Sequence, residues 1–286
     1  DASSKSLCYT GPMPHALVIY NPGSGSKKWK DVPLMIRQTL KKHNFDHTWF
    51  ETQPVKRQDF STLKSRKFDS IIVVGGDGTV AEVASWMVQS KAKTPLVILA
   101  QGSANVLAHS LGIPFLNLKK ALEEGLTQPG KPLDAMLVNR KHVALIAVGR
   151  GYDTFLMKNT LRAEKRKWGA LAYLWTFLKT FLFYRSQPYK LTIDGERLYT
   201  VAKQILVLNV TPAPEMLISG KDGLLNIVTV SRFHRIKTWK GKQISIKTKK
   251  ELTFDCDGEV FKSKTVNIEV LPAAIHVVHP DSFLRK

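Results

Sequence analysis

The sequence predicts an α/β domain followed by a mainly antiparallel β domain. Short apolar strands near 15–20, 46–51, 70–74 and 96–100 alternate with helical stretches near 30–43, 80–90 and 103–111, as in a parallel layered sheet. Three of these strands break into glycine-rich or polar turns. After Leu133-Asp134 the pattern changes to β-rich segments at 135–139, 142–148, 189–194, 198–209, 224–230, 243–248, 251–256 and 265–271, which predicts the second domain.

The turns carry the chemistry. Ala16–Tyr20 runs into Asn21-Pro22-Gly23-Ser24-Gly25-Ser26-Lys27-Lys28, a loop of glycines, hydroxyls and two cations. Ile71–Val74 breaks into Gly75-Gly76-Asp77-Gly78-Thr79, and the helix expected from Val80 to Gln89 would direct its N-terminus at that turn. Glycines let a backbone turn tightly and approach an anion, and a helix N-terminus offers unpaired N–H groups. A carboxylate such as Asp77 is tolerable beside phosphate when it holds a metal, a hydroxyl or a ribose. Leu96–Ala100 leads into Gln101-Gly102-Ser103-Ala104-Asn105 and an apolar helix ending near Gly112-Ile113-Pro114. In open α/β sheets ligands bind outside the carboxyl ends of the strands, so three such loops point to one nucleotide crevice.

Length and composition fit a two-domain globular protein. The chain has 286 residues, 43% of them hydrophobic, enough for a sizeable core. Cys8 and Cys256 lie far apart and match no metal spacing, as expected of idle thiols in a reducing compartment. Asp1 to Met13 is polar without an apolar signal core, so no secretion signal is expected. Of the eight histidines His276 and His279 are the most closely spaced, and none is assigned chemistry.

Net charge is +20, from 43 lysines and arginines against 23 acidic residues, which calls for an anionic partner. No helix-turn-helix, zinc or RNP-type signature concentrates that charge for nucleic acid. The densest basic cluster, Lys158, Arg162, Lys165, Arg166 and Lys167, instead leads into an aromatic stretch. There Trp168, Leu171, Trp175, Leu178 and Leu182 recur at helical spacing. Lys179 interrupts a run shorter than a bilayer span needs. Segment 158–184 is therefore expected to pack partly inward and to rest on an anionic membrane surface.

These motifs resemble the catalytic domain of the diacylglycerol kinase superfamily, which includes sphingosine kinases and compact bacterial lipid kinases. The resemblance is carried by Asn21-Pro22-x-Ser24-Gly25, Gly75-Gly76-Asp77-Gly78-Thr79-Val80-x-Glu82, Gly102-Ser103-Ala104-Asn105 and Leu111-Gly112-Ile113-Pro114. It continues through Gly149-x-Gly151-Tyr152-Asp153, Gly169–Leu174, Asp222-Gly223-Leu224-Leu225 and Asp257-Gly258-Glu259. It implies an N-terminal nucleotide-binding α/β domain of the NAD kinase/diacylglycerol kinase type over 13–132, with 276–286 returning to it. Residues 133–275 would form a β-sandwich, and the active site would lie in the cleft between the two.

The activity implied is an ATP-dependent, Mg²⁺-assisted lipid kinase in the cytoplasm, peripheral on the inner membrane face, that phosphorylates a lipid hydroxyl of diacylglycerol or sphingoid type. The nucleotide set comprises Asn21, Pro22, Ser24, Gly25, Thr52, Gly75, Gly76, Asp77, Gly78, Thr79, Glu82, Ser103 and Asn105. Glu259 is the expected proton acceptor, with Asp257 second and Asp77 completing the catalytic carboxylates. Asp222, with carbonyls of Ser219 and Leu224, is an expected Mg²⁺ site. Asp-Gly pairs also make type I′ hairpin turns, and Asp194-Gly195-Glu196 repeats the letters of 257–259. Ala81 and Val106 stand where the family usually has asparagine and aspartate. The alternatives are thus a catalytically weak or non-catalytic lipid-binding relative, or an NAD kinase.

Overall fold

Consecutive β-branched residues in Ser70–Gly75 make a strand buried along its whole length, and a strand of that kind needs both faces covered. In the computed structural model this strand, β3, lies inside a parallel layer of β1 (His15–Tyr20), β2 (Asp46–Glu51) and β4 (Pro95–Ala100), in the order β2-β1-β3-β4. The structure describes residues 13–24, 31–53, 58–63, 67–150, 185–210, 220–232 and 235–280. Helices α1 (Val32–Lys42), α2 (Asp77–Ser90), α3 (Val106–Ser110) and α4 (Leu118–Thr127) accompany this layer. Ile71–Val74 are at most 1% exposed, each side chain contributing about 1.5–3 kcal/mol by burial.

Helix α2 begins three residues before the expected Val80, so Asp77, Gly78 and Thr79 form its first turn rather than a loop preceding it. Helix α4 was not anticipated. Its buried Leu118, Ala121, Leu122 and Gly125 nevertheless follow helical spacing. Asn117 caps it by accepting the Lys120 N–H at 3.0 Å.

The rest of the described chain is antiparallel β: β5 (Lys131–Val138), β6 (His142–Ala144), β7 (Ala147–Arg150), β8 (Gln187–Ile193), β9 (Glu196–Ala202), β10 (Gln204–Leu208), β11 (Leu225–Val230), β12 (Ile236–Gly241), β13 (Gln243–Cys256) and β14 (Glu259–Val277). The expected strand 142–148 is two strands, because Leu145 and Ile146 turn their N–H groups to a side chain. The expected 198–209 divides at Lys203, and 243–248 and 251–256 are one strand with a bulge between Lys247 and Leu252. Strand β12, also unanticipated, pairs with β11.

Two branches leave one edge of β13: β8 pairs with its first half, and β7 with Asp255 and Cys256. Their inward residues, among them Tyr189, Leu191, Ile205, Ile227, Ile246 and Phe254, share one core. The parallel layer has its own core, to which Leu133, Ala135, Ile275 and Val277 belong. Strand β14 serves both. It pairs with β13, then β5, and its His276 and Val277 run parallel to Pro95 and Leu96 of β4.

Where β5 and β14 meet, Asp134 is 2% exposed. Its carboxylate accepts the Gly223 N–H at 2.8 Å and the Ala273 N–H at 2.8 Å. Ala273 sits at φ 47°, inside the irregularity between Leu271 and Ile275. Asn209, fully buried, donates to the carbonyls of Asp134 and Leu145. A buried carboxylate is stable only when such donors meet it. Asp134→Ala is expected to lower the unfolding free energy by roughly 3 kcal/mol or more, two charge-assisted hydrogen bonds being lost. Urea denaturation beside Asp222→Ala, an exposed position, checks this.

Candidate active site

The C-terminal ends of the parallel strands are tied to one another. Asn21, just after β1, donates its side-chain N–H to Thr79 Oγ1 at 2.8 Å. Its own carboxamide oxygen accepts the Gly23 N–H, and its carbonyl accepts the Ser24 hydroxyl, so the first loop is a closed turn against α2. Pro22 lies exposed on that turn, and Gly25 falls outside the described residues.

Gly76 and Gly102 press backbone to backbone. A Cβ on Gly102 would stand 2.6 Å from the Gly76 Cα and 2.8 Å from Asn105 Oδ1, and a Cβ on Gly75 would meet the Thr79 side chain at 2.6 Å. Only glycine allows this approach. Asn105, at φ 49°, uses its carboxamide to hold Gly102 from both sides, accepting its N–H at 2.7 Å and donating to its carbonyl at 3.1 Å. It therefore shapes the third loop. Ser103 is exposed on that loop.

The first intrahelical bond of α2 runs from Val80 N–H to the Gly76 carbonyl, so the N–H groups of residues 77–79 project beyond the helix end, as an anion site requires. Asp77 does not occupy that end. Each of its oxygens accepts a backbone N–H, from Val106 and from Leu107, both at 3.1 Å. It thereby caps α3 and joins the second loop to the third. Glu82, one turn further, accepts the Gln58 N–H and anchors the chain that follows β2. Thr52, just past the end of β2, is 5% exposed and its hydroxyl has no partner among the described residues.

The two Asp-Gly turns have the same backbone. Asp194-Gly195 lies at φ 48° and 92°, Asp257-Gly258 at 46° and 100°, both in hairpins. Their surroundings differ. Asp194 is exposed and accepts N–H groups of Lys242 and Gln243. The Asp257 carboxylate is enclosed and accepts N–H groups of Leu145, Ile146 and Ala147 at 2.5–3.1 Å. Burial pushes its pKa up to about 6 against those three hydrogen bonds, and the charge of Asp77 adds to the rise. Helix α2, which Asp77 begins, packs against β6, and the Asp257 carboxylate holds the residues that follow β6.

Glu259 stands at the rim, its side chain 75% exposed and 3.5 Å from His142 Nδ1. Cys256, just inside, is 4% exposed with its thiol pKa raised by burial. Asp222 lies in a separate turn, accepting the Leu224 N–H at 3.1 Å with one oxygen and facing Lys240 Nζ at 3.8 Å with the other. Asp222 and Leu224, two members of the expected Mg²⁺ set, thus share one turn. Ser219 lies outside the described residues, as does segment 158–184. No cluster of three His, Cys, Asp or Glu side chains occurs among the described residues. No helix among them is long and apolar enough to cross a membrane.

Sequence reasoning missed Asp134 and Asn209, which fix the floor between the two cores. The signal was available: an aspartate inside the apolar run Leu133–Val138, and an asparagine ending Ile205–Leu208, are costly to bury unless structural.

Two expectations follow. Gly102→Ala should part the loops and weaken nucleotide binding at least about tenfold, roughly 1.4 kcal/mol, with the fold retained, as read by titration calorimetry and circular dichroism. The Asp257 carboxyl should titrate near pH 6 by carboxyl-carbon NMR. Because its pKa rises on folding, the folded chain holds a proton that the unfolded chain releases between pH 3.8 and about 6. Its contribution to stability thus declines as pH rises through that window, a slope that Asp257→Asn removes.

Residues 15–138 match the model of the diacylglycerol kinase catalytic domain. A candidate lipid kinase of Staphylococcus haemolyticus is 27% identical, with 78% of this chain and 79% of the relative covered. One of Staphylococcus aureus is 27% identical over 79% and 81% of the two chains. Crystal structures of a candidate diacylglycerol kinase and of a diacylglycerol kinase, both from Bacillus anthracis, superpose with TM-scores of 0.79 and 0.77. Both are 24% identical; the first covers 96% of this chain and 99% of that one, the second 94% and 98%. These structural likenesses bear out the fold: an α/β N-terminal domain joined to a β-rich C-terminal domain.

Proposed function

We propose, for a chain that resembles the diacylglycerol kinase superfamily and carries its catalytic domain, a phosphotransferase domain of the kinase type, at residues 15–138, that it transfers the γ-phosphate of ATP to the hydroxyl of a membrane lipid. The observation that carries the reading is the convergence of the glycine loops, Gly76 against Gly102 at backbone distance, at the start of a helix that packs against β6, whose following residues the Asp257 turn holds beside Glu259.

In this reading the triphosphate lies across the strand ends, against the free N–H groups of residues 77–79 and the turn closed by Asn21 and Ser24. Gly75, Gly76 and Gly78 let it approach. The unpartnered Thr52 hydroxyl, at the β2 end, would bond the nucleotide, and exposed Ser103 would meet it from the third loop. Glu82 and Asn105, already engaged, would hold the loops rather than the ligand. Asp77 keeps a lone pair on each oxygen and would hold Mg²⁺, which screens triphosphate charge.

A general base needs an oxygen not already claimed by donors, and it must reach the acceptor. Glu259 meets both conditions: it is exposed at the cleft rim, and His142 can orient it. The Asp257 oxygens are held by three N–H groups, so its part would be to fix 145–147 and to keep the turn in place. The lipid hydroxyl would enter beside Glu259, give up its proton there and attack the phosphorus in line. Segment 158–184, outside the described residues, would meet an anionic membrane surface.

The test is transfer of labelled γ-phosphate to a panel of lipid alcohols and NAD in mixed micelles. Glu259→Gln should lose on the order of 10²-fold or more in rate, with ATP affinity within a few-fold of wild type, and Asp77→Asn should lose both. A product with NAD and none with lipid would reject the proposal. So would full activity in Glu259→Gln.

A further inference from the structure

We infer that the outer face of β9, β8 and β13 is a docking surface for anionic lipid headgroups, separate from the cleft. Inward, these strands bury Tyr189, Leu191, Ile244 and Ile246 at no more than 2% exposure. Outward, register sets Tyr199 of β9 opposite Lys190 of β8, and Lys190 opposite Lys247 of β13. Like charges directly opposed across strands are unfavourable. The Lys190 ammonium leans over the Tyr199 ring at 5.6 Å.

Around this row stand Arg197, Lys249, Lys250 and Lys264, all exposed. Thr248 gathers the last two by bonding the carbonyls of Lys250 and Lys264. None of these cations forms a salt bridge with a described residue. A concentration of uncompensated charge that raises the energy of the free protein is relieved by an anionic partner.

Exposed apolar groups select among anions. Tyr199 is 73% and Val201 61% exposed, on a strand whose one neighbour among the described strands is β8. A bare apolar edge is a liability unless something covers it. A lipid surface does so, since an aromatic ring beside lysines suits the headgroup boundary. Single-stranded nucleic acid needs a succession of stacking rings, whereas Tyr199 is the one ring facing outward among the residues just named. A second copy of the chain across a two-fold axis would oppose cation to cation. The choice of lipid rests on the lipid kinase reading, which supplies the reason for visiting a membrane. The surface itself is independent of catalysis.

The experiment is co-sedimentation of the full chain, without ATP or lipid alcohol, with vesicles of phosphatidylcholine alone or mixed with phosphatidylglycerol. Wild type should bind the mixed vesicles and not the neutral ones. Lys190→Glu with Lys247→Glu should weaken that binding about tenfold or more, since each cation near the surface matters. The double Gln variant should fall between, and Tyr199→Ser should make the binding more salt-sensitive. The charge-reversed protein, folded by circular dichroism, should keep transfer to a short-chain soluble acceptor. Unchanged vesicle binding in both double variants overturns the inference. So does loss of RNA binding alone in those variants, or a dimer that they convert to monomer. Absence of kinase activity, with vesicle binding lost as described, would reject the lipid kinase reading and leave this one standing.

Discussion

Three buried or half-buried aspartates accept backbone N–H groups around the cleft, and its loops depend on them. Asp77 takes two from the start of α3, Asp134 takes one from each of two distant turns, and Asp257 takes three from the junction of β6 and β7. Each carboxylate joins segments remote in sequence. Buried backbone donors without acceptors cost enough to unfold a marginal domain, so these side chains decide where the loops stand. The glycine contacts then set how near the loops come: Gly76 and Gly102 touch at backbone distance, and Asn105 holds the second in place. Removing a carboxylate would free a loop, and adding a methyl would displace one. Both act on the space where a triphosphate would lie.

Much of this was legible in the residues. The strands β1 to β4 were visible because each is a short apolar run ending in turn formers, and their alternation with helices marked a parallel layer. The bounds of the β-rich half were less so. Alternating apolar residues mark a strand, but they do not mark where a bulge lets two runs fuse, as at Lys247–Leu252, or where a backbone leaves the ladder to meet a side chain, as at Leu145. The pattern of α4 was present and passed over, because its lysines and glutamates obscure the four buried positions.

The candidate site divides the same way. Gly75, Gly76 and Gly102 were readable because only a close approach explains them. Asp257 and Asp194 show why the rest was not. Identical letters fold into identical hairpin turns, and what separates an enclosed carboxylate with a raised pKa from a surface one is the arrival of residues 145–147, more than a hundred positions away in the chain. Asp77 carries the same lesson. Its place among the glycines suggested a ligand role, while its contacts show that it first holds α3 in place.

Strand β14 joins both halves without a loop between them. Its nineteen residues begin at the 257–259 turn and end alongside β4, and each stretch is bonded to neighbours in a different core. A pair of lobes linked by a flexible tether can swing apart like a jaw. Here a swing would have to shear hydrogen-bonded ladders or bend the strand at Ala273, which Asp134 grips. The molecule is thus built less like a clamshell than like a bench vice with a fixed frame, in which turnover would proceed by movements of loops and side chains within a standing gap.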